Sequence, residues 1–381
     1  MRGFFADLAG FAGAGEPVAT ATVILARGST PRGVGAKMIV RGDGSIVGSI
    51  GGGCGEAQVF WEAARVLEEG TARLCEVDLT GELNDESPTN CGGVMEVFVD
   101  RVRWERPAGN GLGDAQVIRI VGDAANGRRA LALLTVVARK GEASALPVGA
   151  KWIAESDGSL LGMPPPELIP ALRRIAVEAI TAGSARCVWL RRSAAAWEPA
   201  AENAGDVAIF VEVLSPQPEL IIVGAGHIAV ELARVGALVD FEVVIVDDRS
   251  VYANRTRFPE VEQVLVGPIE KVLRELHVGP ASYVVLVTRG HQHDEAALKV
   301  VIGSDVAYIG MIGSRRRIRE IFRHLAKAGV HHRLFSRVHA PIGLKIDAET
   351  PAEIAVAIVA ELVKVRRAAA RARAGTRARA A

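Results

Sequence analysis

The fold of the C-terminal half of the chain is indicated by one stretch, Leu220-Ile221-Ile222-Val223-Gly224-Ala225-Gly226-His227-Ile228-Ala229. Its apolar residues predict a buried strand, its glycines predict a tight turn, and a helix pattern follows to about Val239. A second strand pattern ends at Asp247, 23 positions after Gly224 (247 − 224). This is the dinucleotide fingerprint G-x-G-x-x-G/A followed by its acidic residue. The sequence therefore predicts a Rossmann-type, doubly wound parallel sheet at residues 219–365.

The fingerprint also predicts a ligand site. Gly224, Gly226 and His227 would let a pyrophosphate rest on the start of the helix. Asp247 would accept a hydrogen bond from a ribose 2′-OH and repel a 2′-phosphate, which favours NAD over NADP, although Arg249 weakens that preference. The alternative is a nucleotide-type fold that binds no nucleotide, because a fold alone does not decide function.

Two more loops of this half follow predicted strands and begin predicted helices. The loop 288–295 contains His291, and we expect it to face a ligand at the carboxyl edge of the sheet. Its histidines lack an H-x-x-x-H or cysteine partner, so we predict no metal site. The loop 313–317 is a candidate anion site with Arg315 at the helix start. Residues 366–381, mostly Ala and Arg, are predicted to form a disordered tail.

The N-terminal half has its own glycine-rich turn, Gly48-Ser49-Ile50-Gly51-Gly52-Gly53-Cys54-Gly55-Glu56. It lies between a short strand pattern and a helix pattern over residues 57–69. A cysteine at the first turn of a helix lies in the field of unpaired N–H groups, which favours the thiolate form. Cys54 is therefore the candidate reactive residue; the alternative is a tight turn with a small filler residue. The preceding glycines are candidates for binding a cofactor: Gly51, Gly52 and Gly53.

Two further segments could approach Cys54. The turn-rich loop 27–33 could close over it, and Arg32 would then hold a phosphate; the alternative is a simple hairpin tip. Cys91-Gly92-Gly93 begins a strand pattern after a polar loop and could bring a second thiol, that of Cys91, towards Cys54.

An internal repeat organises the N-terminal half. Val34-Gly35-Ala36-Lys37 recurs as Val148-Gly149-Ala150-Lys151, and Asp43-Gly44-Ser45 recurs as Asp157-Gly158-Ser159, both at an offset of 114 (148 − 34 and 157 − 43). Repeated text in one register argues for a duplicated α/β unit.

The two copies differ where chemistry is expected. Where the first copy has the glycines before Cys54, the second has Met163-Pro164-Pro165-Pro166. We therefore assign residues 1–105 to a copy that carries chemistry and residues 115–215 to a degenerate copy kept for packing or pseudo-symmetry.

Composition excludes several classes of function. The formal net charge of the 381 residues is +1, so nothing global steers the chain to nucleic acid, and no apolar run reaches the length of a membrane span. The four cysteines form no C-x-x-C pair, which favours a reduced, cytoplasmic protein. All eight histidines lie from His227 onward, so the first 226 residues cannot supply a Cys-His pair on their own.

With these motifs in place, the chain resembles the XdhC/CoxI family of molybdenum-enzyme accessory proteins. The resemblance rests on text from both halves. The segments, in the family's order, are Gly28-Ser29-Thr30-Pro31-Arg32, Gly51-Gly52-Gly53-Cys54-Gly55-Glu56, Cys91-Gly92-Gly93, Gly224-Ala225-Gly226-His227, Thr288-Arg289-Gly290-His291, Tyr308-Ile309-Gly310-Met311-Ile312-Gly313-Ser314-Arg315 and His339-Ala340-Pro341-Ile342-Gly343-Leu344. The degenerate second copy is extra relative to the shortest family members, and Lys345-Ile346-Asp347 departs from the family text.

The resemblance implies a cofactor-insertion chaperone rather than a turnover enzyme. Its cargo would be molybdenum cofactor (molybdopterin), including the sulfurated form, delivered to an apo molybdenum hydroxylase of the xanthine dehydrogenase or CO dehydrogenase type. A cysteine desulfurase is a further candidate partner, a homodimer is the expected assembly, and NAD(P) or another nucleotide is the candidate ligand of the Rossmann unit.

Two alternatives stay open from the sequence. An NAD(P)-dependent oxidoreductase would use the N-terminal part as its substrate domain, but the sequence contains no familiar hydride-transfer constellation. A purely structural scaffold would bind neither nucleotide nor pterin.

Overall fold

The computed structural model describes residues 2–12, 15–80, 92–104, 107–126, 129–140, 146–193 and 196–375. The chain divides into two compact units, Met1–Pro216 and Gln217–Gly375, which are described separately. The predictions on Cys91 and on most of the preceding polar loop lie outside the described residues. Within the described ranges, no helix is both long and apolar enough to cross a membrane.

The first unit contains two sheets, and its elements are numbered in chain order. The helices are α1 (Arg2–Ala12), α2 (Gly53–Glu69), α3 (Asp114–Asn126) and α4 (Ile169–Ala182). The strands are β1 (Val18–Arg27), β2 (Lys37–Arg41), β3 (Ile46–Gly48), β4 (Arg73–Asp78), β5 (Val94–Arg101), β6 (Leu131–Arg139), β7 (Lys151–Glu155), β8 (Leu160–Leu161), β9 (Arg186–Arg192), β10 (Trp197–Ala200) and β11 (Val207–Leu214).

The two sheets have the same topology. The first has the order β3-β2-β1-β5-β4, and the second, read from its other edge, has the order β8-β7-β6-β11-β9-β10. The repeated Asp-Gly-Ser text forms the same hairpin turn in both: Ser45 N donates to Asp43 Oδ1 (2.9 Å), and Ser159 N donates to Asp157 Oδ1 (2.8 Å). The repeat seen in the sequence is therefore also a repeat of structure, with β10 added to the second sheet.

The two sheets pack against each other through one apolar cluster, which includes Ile24, Phe98, Val137 and Phe210. The outer face of the first sheet carries α2, whose apolar side packs on β1, β4 and β5. The start of α2 therefore lies at one end of the sheet, and the chain reaches it from the end of β3.

Two buried ion pairs cross between the copies in opposite directions. Lys37, which begins β2, pairs with Glu212 of the second copy (3.0 Å), and Lys151, which begins β7, pairs with Asp100 of the first (3.1 Å). Both carboxylate side chains are 2% exposed. Lys151 also pairs with Asp114 (2.9 Å); burial would lower the pKa of Lys151, but Asp114 and Asp100 hold it above its ordinary value. Each of the two recurring lysines, Lys37 and Lys151, therefore pairs with a carboxylate of the other copy, and we call them the exchanged lysines.

The second unit contains one parallel sheet with helices on both faces. Its helices are α5 (His227–Leu238), α6 (Ile269–Glu275), α7 (His291–Val301), α8 (Arg315–Lys327) and α9 (Pro351–Gly375). Its strands are β12 (Glu219–Val223), β13 (Glu242–Asp247), β14 (Gln263–Val266), β15 (Ser282–Leu286), β16 (Tyr308–Met311) and β17 (Val338–His339).

The strand order is β14-β13-β12-β15-β16-β17. From β12 the chain adds β13 and β14 on one side and then β15, β16 and β17 on the other, so the order of addition reverses between β12 and β15. This is the doubly wound order 3-2-1-4-5-6, and every pair in the sheet is parallel. Successive residues of a strand point to opposite faces of this sheet, and each face packs against its own apolar core. All five residues of β12 are therefore buried. The Rossmann-type prediction is confirmed, and ligands of such sheets bind at the carboxyl edge near the reversal.

The last helix extends further than the sequence predicted. A disordered tail was expected from Arg366, but α9 continues to Gly375. Ala and Arg are among the strongest helix formers, which favours this extension. Arg366 also donates to Val239 O (3.0 Å) and lies over the ring of Phe241 (4.8 Å), which fixes the helix to the sheet.

Candidate functional site

Cys54 is presented at the start of α2. The helix begins at Gly53, earlier than the predicted residue 57, so Cys54 is its second residue and its side chain is exposed. The preceding Gly52 has φ 76°, a conformation that costs other residues energy. The N–H groups of the first helical turn have no partner within the helix, so an anion can bind beside this thiol.

Glu56 shapes the glycine-rich turn before Cys54. Its Oε2 accepts hydrogen bonds from Ser49 Oγ (2.7 Å), Ile50 N (3.0 Å) and Gly52 N (3.1 Å). Burial alone would raise the pKa of Glu56, but these hydrogen bonds hold it below its ordinary value. The carboxylate therefore fixes the turn in one shape. This role of Glu56 was not predicted from the sequence, although an acid within the first helical turn after a glycine run is a signal for it.

The predicted approach of the loop 27–33 is present in the structure. A Cβ atom on Gly51 would lie 2.4 Å from Pro31 Cγ and 3.8 Å from Arg32 Cγ, so the two loops touch and only glycine fits. The Arg32 side chain is exposed at this contact. Arg32 and the Cys54 turn therefore lie on one surface, as an anion site requires.

A third segment joins the same cluster. A Cβ atom on Gly93 would lie 2.5 Å from Ser29 O and 2.6 Å from Arg27 O, so the residues after Cys91 pack on the loop that carries Arg32. Gly92 N also donates to Leu79 O (2.9 Å) at the end of β4. Three segments distant in sequence thus meet at the glycine turn that precedes Cys54, and Cys91 itself lies outside the described residues.

The other described thiols have a different environment. Burial raises the pKa of Cys75 to about 11, and burial together with Glu96 and Glu202 raises that of Cys187 to about 12. At neutral pH both are therefore protonated and poorly nucleophilic. Of the described cysteines, Cys54 alone is exposed.

The glycines of the fingerprint in the second unit are where the sequence predicted them. Gly224 has φ 108°, and a Cβ atom there would lie 2.6 Å from Val287 O, so no other residue fits. Gly226 is the N-cap of α5, and His227 is its exposed first residue. This geometry fits a phosphate at the helix start.

Asp247 does not fit its predicted role as a ribose acceptor. Its side chain is 3% exposed. Its Oδ2 accepts from Ala225 N (2.7 Å) and Arg249 Nη2 (3.0 Å), and its Oδ1 accepts from Arg249 N (3.0 Å) and Arg249 Nε (2.9 Å). Burial would raise the pKa of Asp247, but these bonds hold it below its ordinary value. A carboxylate has about four acceptor positions, and all are used within the protein.

The remaining predicted residues lie at the starts of two other helices. His291 is the first residue of α7, and its side chain is not described. Asp294, three residues later, is fully buried, accepts from Thr288 Oγ1 (2.6 Å) and pairs with Arg317, so it faces the core and not a metal. The three arginines at the start of α8 therefore have separate roles. Arg317 pairs with Asp294, Arg316 with Glu320 (3.3 Å), and Arg315 is exposed at the first helical position.

A network near the last strand was not predicted. Glu361 Oε2 accepts from Tyr308 Oη (2.7 Å) and Gly343 N (2.8 Å), and Glu361 Oε1 lies 3.0 Å from His339 Nδ1. Burial raises the pKa of Tyr308, and the adjacent carboxylate raises it further. These contacts fix the segment after β17 to α9.

Family models match both units. Residues 11–78 match the model of the XdhC and CoxI family, and residues 220–362 match that of the XdhC Rossmann domain. Together the two matches confirm the predicted resemblance to the XdhC/CoxI family.

Individual relatives match over most of the chain. A Bacillus subtilis (strain 168) protein, named as a probable subunit of xanthine dehydrogenase, is 25% identical over 354 residues, covering 92% of this chain and 94% of that protein. The uncharacterized protein YqeB of Escherichia coli (strain K12) is 25% identical over 351 residues, covering 92% of this chain but 44% of YqeB. A crystal structure titled as a xanthine dehydrogenase from Bacillus halodurans shares the fold, with a TM-score of 0.76, 24% identity and 96% coverage of both chains.

Proposed function

Because this chain carries both domains of the XdhC/CoxI family, we propose that it is an accessory protein of a xanthine dehydrogenase type enzyme. In this proposal it binds molybdenum cofactor, including the sulfurated form, and delivers it to an apo molybdenum hydroxylase. The names of the relatives support the link to xanthine dehydrogenase. A cysteine desulfurase would supply the sulfur, and a homodimer is the expected assembly.

The observation that carries the proposal is the convergence of three loops beside one exposed thiol. Cys54 is a soft sulfur ligand of the kind that suits a transition metal or a sulfane sulfur. Arg32 lies against Gly51 of the turn before Cys54, and together with the start of α2 it would bind the phosphate of the pterin. Cys91 would act as the second thiol, since the residues that follow it pack on the loop of Arg32.

The rigidity of the turn also supports binding of a preformed cargo. Glu56 and Ser49 already bind the N–H groups of Ile50, Gly51 and Gly52. The turn therefore does not need to reorganise when cargo arrives, and the ordering cost of binding is small.

For the second unit, we expect a nucleotide at the carboxyl edge of the sheet, where Gly224, Gly226 and His227 would hold its phosphates. An NAD(P)-dependent oxidoreductase is the alternative function for this unit. A substrate-dependent change in nicotinamide absorbance would identify it.

The test of the accessory function uses Cys54→Ser. The wild type and the variant are loaded with molybdenum cofactor, desalted, assayed for retained pterin, and mixed with an apo-hydroxylase to measure activation. We expect Cys54→Ser to retain and transfer at least about tenfold less cofactor, a loss of about 1.4 kcal/mol or more in binding, because a hydroxyl replaces the soft thiolate ligand.

The matched control is Cys187→Ser, which removes a thiol from the second copy. Cys187 is partly buried and protonated, so this variant should behave as the wild type in both assays. Full retention and full activation by the Cys54→Ser protein would reject the proposal.

A further inference from the structure

The carboxylate next to Asp247 has the opposite environment. Asp248 follows β13 directly, and its side chain is 31% exposed, against 3% for Asp247. Its Oδ2 accepts from Arg289 Nη2 (3.0 Å), and its Oδ1 lies 3.7 Å from Arg249 Nε, beyond hydrogen-bonding distance. Asp248 can therefore accept further hydrogen bonds, whereas Asp247 cannot.

Asp248 also lines a groove at the carboxyl edge of the sheet. The groove has a volume of about 760 Å³, within the range of about 300–1,000 Å³ that is usual for small-molecule sites. Pro268 and Ile269, which follow β14, and Ala296 of α7 form an apolar wall. Charged side chains of α6 line the rest of the groove: Glu270, Lys271, Arg274 and Glu275. His293 of α7 adds a polar group and lies 3.3 Å from Arg289 Nη2.

The position of the groove matches the ribose and base end of a dinucleotide. It begins one residue beyond the fingerprint acid, continues past the end of the next strand, β14, and is bounded by α7. The phosphate-binding end of such a ligand lies at that turn, and its ribose and base extend towards these neighbouring strands.

We propose that Asp248, and not the fingerprint residue Asp247, accepts the ribose hydroxyls of an ADP-type ligand, whose base lies in the groove of Pro268, Ile269, His293 and Ala296. The inference rests on the nucleotide binding proposed above for this unit. Asp247 is then a positioning residue: it holds Ala225 N and the Arg249 guanidinium, and so fixes the glycine turn against the end of β13.

This assignment also sets the ligand class. A carboxylate that accepts from both ribose hydroxyls requires them to be free, and a 2′-phosphate would remove one of these donors, although Arg289 and Arg249 offset part of the charge repulsion. The groove therefore favours nucleotides with an unmodified ribose, as in NAD or ADP, by a different residue from the one the fingerprint indicates.

The test is titration calorimetry on the full-length protein with ADP and 2′,3′-dideoxy-ADP as probes. The wild type should bind ADP about tenfold or more tightly than dideoxy-ADP, since hydrogen bonds to a charged group contribute about 1.5–3 kcal/mol. In Asp248→Asn the preference for ADP should fall severalfold, because a neutral amide oxygen accepts more weakly than a carboxylate and the amide NH2 group cannot accept.

The matched control is the adjacent acid. Asp247→Asn should lower the melting temperature, because a buried amide cannot accept from all four donors, yet the folded variant should keep its preference for ADP over dideoxy-ADP. If this variant does not fold, the comparison of the two probes on Asp248→Asn decides alone.

Three outcomes would overturn the inference. They are an undiminished preference for ADP in Asp248→Asn, a preference that disappears in folded Asp247→Asn, and a wild type that binds neither probe. The last result would also remove the nucleotide proposal, but it would leave the molybdenum cofactor assay with Cys54→Ser unaffected.

Discussion

The first and second copies of the N-terminal unit share a fold but not a site. Both have the same strand order and the same Asp-Gly-Ser hairpin. In the first copy the chain then forms a glycine-rich turn into α2, with Cys54 in its first turn. In the second it passes through Met163 and three prolines into a short 3₁₀ helix before α4 begins at Ile169.

The two copies show which parts of a duplicated unit are constrained by packing. The lysines exchanged between the copies are kept in both, because each neutralises a carboxylate that is buried in the other copy. The segment before the helix makes no such exchange, so it is free to differ. Copy two therefore covers an apolar face of copy one and supplies the charged side chains of Glu212 and Lys151, while copy one carries the candidate chemistry.

The largest expected effect comes from breaking one of the exchanged pairs. Lys37→Met would leave Glu212 buried without its cation, and Glu212 Oε1 already has no hydrogen-bond partner among the described residues. We expect the free energy of unfolding in urea to fall by about 3–5 kcal/mol.

Its counterpart Lys151→Met should cost less. Asp100 would keep Arg103 Nη1 (2.8 Å), and Asp114 would still accept from Arg103 N (2.7 Å). The double variant Lys37→Met/Glu212→Leu should regain most of the loss, because it removes both charges together. A loss below about 1 kcal/mol for Lys37→Met alone would contradict this account.

The next effect compares thiols of the two copies. A pKa of about 12 leaves on the order of 10⁻⁴ of the Cys187 side chains as thiolate at pH 8, while Cys54 is exposed. We expect iodoacetamide to modify Cys54 at least about a hundredfold faster, as measured by peptide mass spectrometry over time. Equal rates in the folded protein would show that Cys54 is not the accessible thiol.

A smaller effect tests the contact between the Cys54 turn and the loop of Arg32. Gly51→Ala would place a methyl group 2.4 Å from Pro31 Cγ at a φ of 142°, and should cost about 2 kcal/mol of stability along with cofactor retention. Gly52→Ala is the neighbouring control: its Cβ would meet none of the described atoms within 4 Å, so it should cost only about 1 kcal/mol for its φ of 76°. Equal costs would argue against the contact.

The smallest effect concerns Glu56 and depends on pH. Its folded pKa lies below the ordinary value of about 4.3, so its stabilisation is complete above that pH and is lost as pH falls through the folded pKa. Glu56→Gln should therefore cost about 1 kcal/mol at pH 7, and the difference from the wild type should shrink below about pH 4. Glu68→Gln, at an exposed position of the same helix, is the control and should change the stability at pH 7 by less than about 0.5 kcal/mol.

The parts that the sequence predicted are those set by local pattern. Gly224, Gly226 and Asp247 occur at fixed spacings within a strand–turn–helix pattern, and this pattern was sufficient to predict the Rossmann-type sheet that the structure contains. The repeat was visible because a tight turn constrains its own residues, as in Asp43-Gly44-Ser45.

The parts that were missed depend on groups brought together by the fold. Nothing local shows that Arg249 would fill the acceptor positions of Asp247, or that Lys37 would reach Glu212, 175 residues away (212 − 37). The recurrence of Lys37 as Lys151 was in the repeat, but its meaning required the two sheets to be placed face to face. The cluster of loops at Cys54 was anticipated as a hypothesis, and Glu56 as the residue that shapes it was not.

The exchanged lysines limit how this protein can be shortened. A fragment that ended after Trp104 would lose Glu212 and Lys151 together, and it would turn the ring of Phe98 out to water. Such a truncation would therefore leave Lys37 and Asp100 without their partners and open an apolar face to water, instead of releasing a self-sufficient domain. A shortened version of the protein would need substitutions that remove the charges of Lys37 and Asp100, or an assembly in which two identical fragments cover each other's exposed face.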